Sequence, residues 1–172
     1  EEVASRVTEA LEAVGLQGYE KRDPFTLGKG ERQRVAVASV LSARPGVIIL
    51  DEPTTGLDYG EQRRMMELIR KLNEAGQTII MITHTLWVVA EYAHRIVAMR
   101  DGRVVMDGPT RQVLAREEEL AASHLRPPHI VSLGNRLGRT VLSVEELVRC
   151  TRMPENGHSP QNAAGSAERG DA

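Results

Sequence analysis

With 172 residues the chain is long enough for one domain with a sizeable core, and with aromatics at only 3% that core has to be built from Val, Leu, Ile, Ala and Met. A net charge of −2 argues against general affinity for nucleic acid. The one cysteine, Cys150, excludes an intrachain disulfide or a cysteine-based metal cage and suits a reducing compartment, and no apolar run approaches bilayer-spanning length or reads as a signal peptide.

Residues 1–14 place Val3, Val7, Leu11 and Val14 on one helical face with Glu, Arg and Thr opposite, and Gly15 follows as a helix-ending residue. The chain enters this pattern directly at Glu1 rather than Met, so a preceding segment is expected. Residues 16–27 are polar and irregular, with Pro24 at a turn. A second helix is expected from about Gly30 to Ala43, with Val35, Ala38, Leu41 and Ser42 at three-to-four spacing and Pro45-Gly46 closing it. At its start, Gly28, Lys29 and Gly30 leave the backbone open. Free N–H groups and the positive dipole end of a helix attract phosphate there, although a glycine turn giving a sharp entry into the helix accounts for the same residues.

Val47–Asp58, VIILDEPTTGLD, is the stretch around which the chain is organised. The unbroken apolar run suits a strand buried on both faces, as in a parallel sheet covered by helices. Pro53 stops the ladder because it has no N–H to donate. Asp51 and Glu52 are two charges at the carboxyl end of that strand. They are costly there, and in open α/β sheets that end is where ligands bind. The bland alternative is that they cap the next segment.

Residues 60–75 read as an amphipathic helix with Met65, Met66, Leu68, Ile69 and Leu72 apolar; the methionines are core filling. Thr78–Thr83 is a second buried strand that ends at His84, in the same architectural position as Glu52, where a helix-capping role is the alternative. A short helix over 86–93 follows, then strands Arg95–Met99 and Arg103–Asp107 joined by Asp101-Gly102, a hairpin signal. Residues 110–122 are expected to form one helix whose Glu117, Glu118 and Glu119 make a solvated face. Two short helices are expected at about 129–135 and 143–150, and residues 151–172 are polar enough to read as a disordered tail.

Taken together, the run from about Thr26 to Leu114 resembles the ATP-binding cassette of ABC transporters. LGKGE at Leu27–Glu31 stands where that family has its LSGGQ signature. VIILDEP matches its Walker B strand, TTGLD its D-loop, and THTL its switch histidine, while MRDGRVVMDGP resembles its closing hairpin. LGKGERQRVAVASVL and LRPPHIVSLGNRLG further resemble the energy-coupling-factor and cobalt-type importers, in particular the second cassette of a tandem ATPase component.

The resemblance implies roles. Asp51 would hold Mg²⁺, Glu52 would be the general base that polarises the attacking water, and His84 would contact the γ-phosphate of ATP. Asp58 would lie at a dimer interface. Leu27, Gly28, Lys29, Gly30 and Glu31 would bind ATP held by a second cassette in a head-to-tail dimer. The implied partners are that cassette and membrane-embedded transport subunits, with no nucleic acid, and the implied location is the cytoplasmic face of a prokaryotic plasma membrane.

Gly28 replaces the signature serine, Lys29 the following glycine and Glu31 the glutamine. Lys29 adds a flexible positive charge that stands in part for the lost hydroxyl. The sequence holds no G-x-x-x-x-G-K-[ST] run. The expected fold class is therefore α/β: a partial P-loop NTPase sheet of the cassette type, flanked by helices, with a short C-terminal helical extension and a disordered tail. In domain terms, residues 1–122 are cassette (1–45 from its helical part, 46–122 from its ATPase core) and 123–150 the extension. Such a chain is expected to leave an apolar sheet edge uncovered. The expected activity is that of an importer's ATPase subunit that does not turn over ATP alone. The alternatives are a non-catalytic regulatory cassette piece or a soluble, non-transport ABC ATPase.

Overall fold

The computed structural model describes residues 2–151. The tail expected at 151–172 lies outside the described residues, apart from Thr151 at the end of a helix. Four stretches build the first half: α1 (Glu2–Ala13), α2 (Lys29–Leu41), β1 (Val47–Asp51) and α3 (Tyr59–Glu74). They are followed by β2 (Thr78–Ile82), α4 (Leu86–Tyr92), β3 (Arg95–Arg100) and β4 (Arg103–Pro109). Four short helices close the described chain: α5 (Thr110–Leu114), α6 (Glu117–Ala122), α7 (His129–Arg136) and α8 (Val144–Thr151).

The strands form two separate pairs. β1 and β2 run parallel, with Ile48 opposite Ile79 and Asp51 opposite Ile82, so both strands end side by side. That parallel register requires a crossover, and α3 supplies it. β3 and β4 form an antiparallel hairpin turned at Asp101-Gly102, both with positive φ as a tight hairpin turn requires, and its register shifts between Ala98 and Met99.

Two aliphatic cores follow from these pairs. One joins Leu11, Val14 and Leu16 to Val37, Ala38, Met65, Met66, Ile69 and Val88, with Leu50, Ile79 and Met81 packed against it. The other gathers Ala98, Met106, Val113, Leu114, Leu120 and Val131. Full burial of a side chain such as Met65 or Leu114 contributes about 1.5–3 kcal/mol each.

Several expectations are corrected. The two strands are not buried on both faces. Ile48 is buried, but Ile49 is 64% exposed and Val47, Ile80 and Ile82 are exposed with it. Successive strand side chains point to opposite faces, and only the face toward α3 is covered within this chain. The apolar surface left uncovered is thus a sheet face, where an uncovered sheet edge was expected. In α1, Val3 and Val7 face solvent and the packed residues are Ala10 and Leu11, because only the C-terminal half of that helix lies against the core.

The helix expected over 110–122 is two helices. Arg116 leaves helical geometry at ψ 65, and the turn between them lets Leu114 and Leu120 enter the same core. Glu117 does not belong to a solvated face: its carboxylate accepts hydrogen bonds from Ser132 Oγ (3.0 Å) and Asn135 Nδ2 (2.6 Å), fastening α6 to α7. No helix among the described residues is long and apolar enough to cross a membrane.

Candidate functional site

The chemistry-bearing residues fall into two groups joined by the loop from Asp51 to Asp58. The first group sits at the carboxyl ends of β1 and β2. Glu52 follows β1 with φ +46, an unusual backbone for a non-glycine residue, and its N–H donates to Ile82 O at 2.9 Å. This turn points its carboxylate at the end of β2. There Oε1 lies 2.6 Å from His84 Nδ1 and accepts from the His84 backbone N–H at 3.1 Å. Oε2 accepts from Thr55 Oγ1 at 3.0 Å and Thr83 Oγ1 at 3.3 Å.

The His84 ring, then the Thr55 hydroxyl and the His84 backbone N–H, hold the Glu52 carboxyl below the usual glutamate range against the opposing effect of burial. Glu52 is accordingly ionised at neutral pH. Parallel pairing therefore brings together two residues that lie 32 positions apart, Glu52 and His84, and the imidazole sits on the carboxylate rather than capping α4. Thr55 and Thr83 are the additional partners that sequence reasoning missed; only their places beside the two strand ends hinted at them.

Asp51 is the last residue of β1. It is exposed, and among the described residues no side chain hydrogen-bonds to it. No group of three or more His, Cys, Asp or Glu that could hold a metal occurs among the described residues. A lone accessible carboxylate fits Mg²⁺, which is commonly held by one or two carboxylates together with water and substrate phosphates, and it does not fit an all-protein metal cage.

The second group surrounds a cleft of about 420 Å³ between the start of α2 and the TTGLD turn, where Gly28, Lys29, Gly30 and Glu31 meet Gly56 and Asp58. Leu27 is buried beneath it. Gly28 is the N-cap of α2, and its N–H is already taken by Glu31 Oε2 at 2.9 Å. Glu31 Oε1 accepts from Tyr19 Oη at 2.8 Å. The Gly28 N–H, then the Tyr19 hydroxyl, hold the Glu31 carboxyl below its usual range. So of the open backbone expected at this helix start, the Gly28 N–H is satisfied from within, and Glu31 acts as a cap.

Asp58 is the N-cap of α3: its Oδ1 accepts the Glu61 N–H at 2.9 Å. Gln62 Nε2 holds the Leu57 carbonyl at 3.1 Å and so fixes the turn from behind. Glu61 and Gln62 are functional-site neighbours that carry no motif and were invisible in the sequence.

A parallel strand pair with carboxylates at its C-terminal ends, a crossover helix and a glycine-led helix start define an α/β class of protein, in which ligands bind at the carboxyl ends of the strands. The comparisons narrow this class. A family profile described as ABC transporter matches residues 2–55. A provisionally named ABC transporter ATP-binding protein of Caldanaerobacter subterraneus subsp. tengcongensis is 66% identical over 152 residues, 88% of this chain and 27% of the relative. The energy-coupling factor transporter ATP-binding protein EcfA of Methanocaldococcus jannaschii is 41% identical over 133 residues, 77% of this chain and 48% of the relative.

Among solved structures, cbiO1 from Clostridium perfringens, part of the ABC transporter complex cbiONQ, superposes with TM-score 0.62 at 35% identity over 78% of this chain and 53% of that one. A dimeric ATP-binding cassette in a post-hydrolysis state bound to ADP and Pi superposes with TM-score 0.54 at 34% identity, over 62% of this chain and 47% of that one. The chain belongs to the ATP-binding cassette family of ABC transporters, a family of ATPases. It spans from about a quarter to about half the length of these relatives.

Proposed function

We propose that this chain supplies part of the ATPase engine of an ABC-type importer for a vitamin or a transition-metal ion, and that it does not hydrolyse ATP on its own. Bound Mg²⁺ would neutralise charge on the phosphates of ATP, and the chain's own residues supply the rest. The uncommitted Asp51 carboxylate would hold the ion, and Glu52, kept ionised, would orient and deprotonate water. His84, resting on Glu52, would carry the state of the γ-phosphate to that base.

The α2 start, with Leu27, Gly28, Lys29, Gly30 and Glu31, would face the nucleotide of a second cassette in a head-to-tail dimer, with Asp58 at the interface. Membrane-embedded transport subunits would complete the assembly, placing the chain at the cytoplasmic face of a plasma membrane. In this reading residues 1–45 belong to the helical part of the cassette, 46–122 to its ATPase core and 123–150 to an extension.

The observation that carries the reading is the Glu52–His84 pairing at the ends of two parallel strands, next to a free Asp51. Relative lengths favour a tandem arrangement. A match of 133 residues is 48% of EcfA, whereas 152 residues are only 27% of the Caldanaerobacter relative, so that relative is about twice as long. The dimeric cassette with ADP and Pi supports the two-cassette arrangement by likeness.

The test is capture of a cassette that carries a P-loop, with and without ATP. Association that requires ATP is expected. Equal capture without nucleotide would point instead to a regulatory piece docking through the same surface.

A further inference from the structure

The cleft contains two close approaches that mirror each other. Gly30, in the first turn of α2, is buried, and a Cβ built on it would run into the Glu61 carboxylate, with Cδ only 2.8 Å away. Gly56, in the TTGLD turn, has φ +72. A Cβ there would meet the Lys29 ammonium, with Cε at 3.1 Å. Each glycine is thus roofed by a long side chain from the opposite segment: Glu61 of α3 lies on the signature turn, and Lys29 of the signature turn lies on the D-loop. Non-bonded carbons normally settle at about 3.5–4.0 Å, so a methyl group at either place would have to push the end of the covering side chain away from the opposite turn.

Both segments are also held individually. Glu31 caps Gly28, Arg32 Nη1 donates to Leu27 O at 2.6 Å, Asp58 caps α3, and Glu61 pairs with Arg64.

We infer that Lys29 and Glu61 are positioning residues that lock the LGKGE turn to the TTGLD turn, so that the signature and Asp58 move as one rigid unit. The inference rests on the proposed reading that both segments serve a nucleotide across a dimer interface. It adds a reason for the lysine in this signature. Where the family pattern has glycine, no side chain reaches the D-loop; here Lys29 does, and Gly56 leaves the space for it. A side chain that spans two turns fixes their separation, and a shift of about 1 Å in such geometry costs about 10²-fold in rate.

Two readouts separate the interlock from the function. In the 172-residue chain, Lys29→Gly is expected to speed hydrogen exchange at residues 54–58 about tenfold or more, with the β3–β4 amides unchanged as a control for folding. In the full-length ATPase assembled with its partner cassette, Lys29→Gly and Gly30→Ala are each expected to lower kcat about tenfold or more with KM for ATP little changed. Glu61→Ala alone is expected to lower kcat to a similar degree, and adding it to Gly30→Ala is expected to cause little further loss, because both changes undo the same contact.

Unchanged exchange at 54–58 in Lys29→Gly, or recovery of kcat when Glu61→Ala is added to Gly30→Ala, would overturn the interlock. Faster exchange with unaltered kcat would overturn its positioning role. If Glu52→Gln also left the assembled ATPase intact, the underlying functional reading would fail instead.

Discussion

The loop from Asp51 to Asp58 ends in two differently built places. At the Asp58 end the backbone is closed in on itself: Asp58 caps α3, Gln62 holds Leu57 O, Thr54 is buried, and Lys29 covers Gly56. At the Asp51 end a free carboxylate and the Glu52–His84 pair stand at the tips of a two-stranded sheet. One face of that sheet, with Ile49, Ile80 and Ile82, is bare. The first end is a finished surface whose turns are capped and held from within, although Arg34 Nε in the cleft lining is buried without a partner among the described residues. The second is chemistry on an uncovered support. The proposed function calls for this difference: one ready surface for a second cassette, and a nucleotide site whose building would be shared with other polypeptide.

The largest expected effect tests the second end. Glu52→Gln in the assembled, full-length ATPase should cut kcat by about 10²–10⁴-fold, the usual worth of a general base, while ATP-dependent association of the cassettes survives. Loss of association together with turnover would erase the distinction between the two ends.

Next in size is the support common to both. Met65→Ala, on the buried face of α3, should cost about 2–5 kcal/mol in urea unfolding of this chain. A cost below 1 kcal/mol would mean that the core under the loop is not packed as described.

A smaller loss is expected at the finished end. Asp58→Ala removes the α3 cap and should cost about 1 kcal/mol.

Acid sharpens the comparison further. Glu31 and Glu52 both have folded values depressed below the ordinary carboxylate range. Their contributions are therefore complete above the unfolded value of 4.5 and are lost as pH falls through the lower folded values. NMR titration of the side-chain carboxyl carbons of Glu31 and Glu52 should show both responding below pH 4.5. A response of either carboxyl centred at or above that pH would contradict the hydrogen bonds assigned to them.

The smallest effect is at the bare face. Ile80→Thr should change stability by no more than about 0.5 kcal/mol, as surface substitutions do, while reducing self-association in sedimentation.

Much of this organisation was legible in the residues. Val47–Asp51, Thr78–Ile82 and the Asp101-Gly102 hairpin follow from apolar runs and turn chemistry, and the pairing of Glu52 with His84 follows from two strands ending at the same level. What was not legible depends on which side chains meet across elements. The motif LGKGE gives no sign that Glu31 turns back onto Gly28, or that Glu61 lies over Gly30, because neither contact has a periodic signature. An apolar run reads the same whether one face or both are covered, so the exposure of Ile49 and Ile82 could not be read from it. The break at Arg116 was hidden because residues 110–122 contain no Gly or Pro after Pro109 to announce it.

The central proposal is that Glu52 and Asp51 would serve as the base and the metal carboxylate of a cassette and that the chain does not complete a hydrolytic site alone. It is tested most directly by steady-state ATPase turnover of the purified 172-residue chain with Mg²⁺, beside its Glu52→Gln variant. The account predicts no turnover above background in either. A clear rate in the chain that Glu52→Gln abolishes would contradict it.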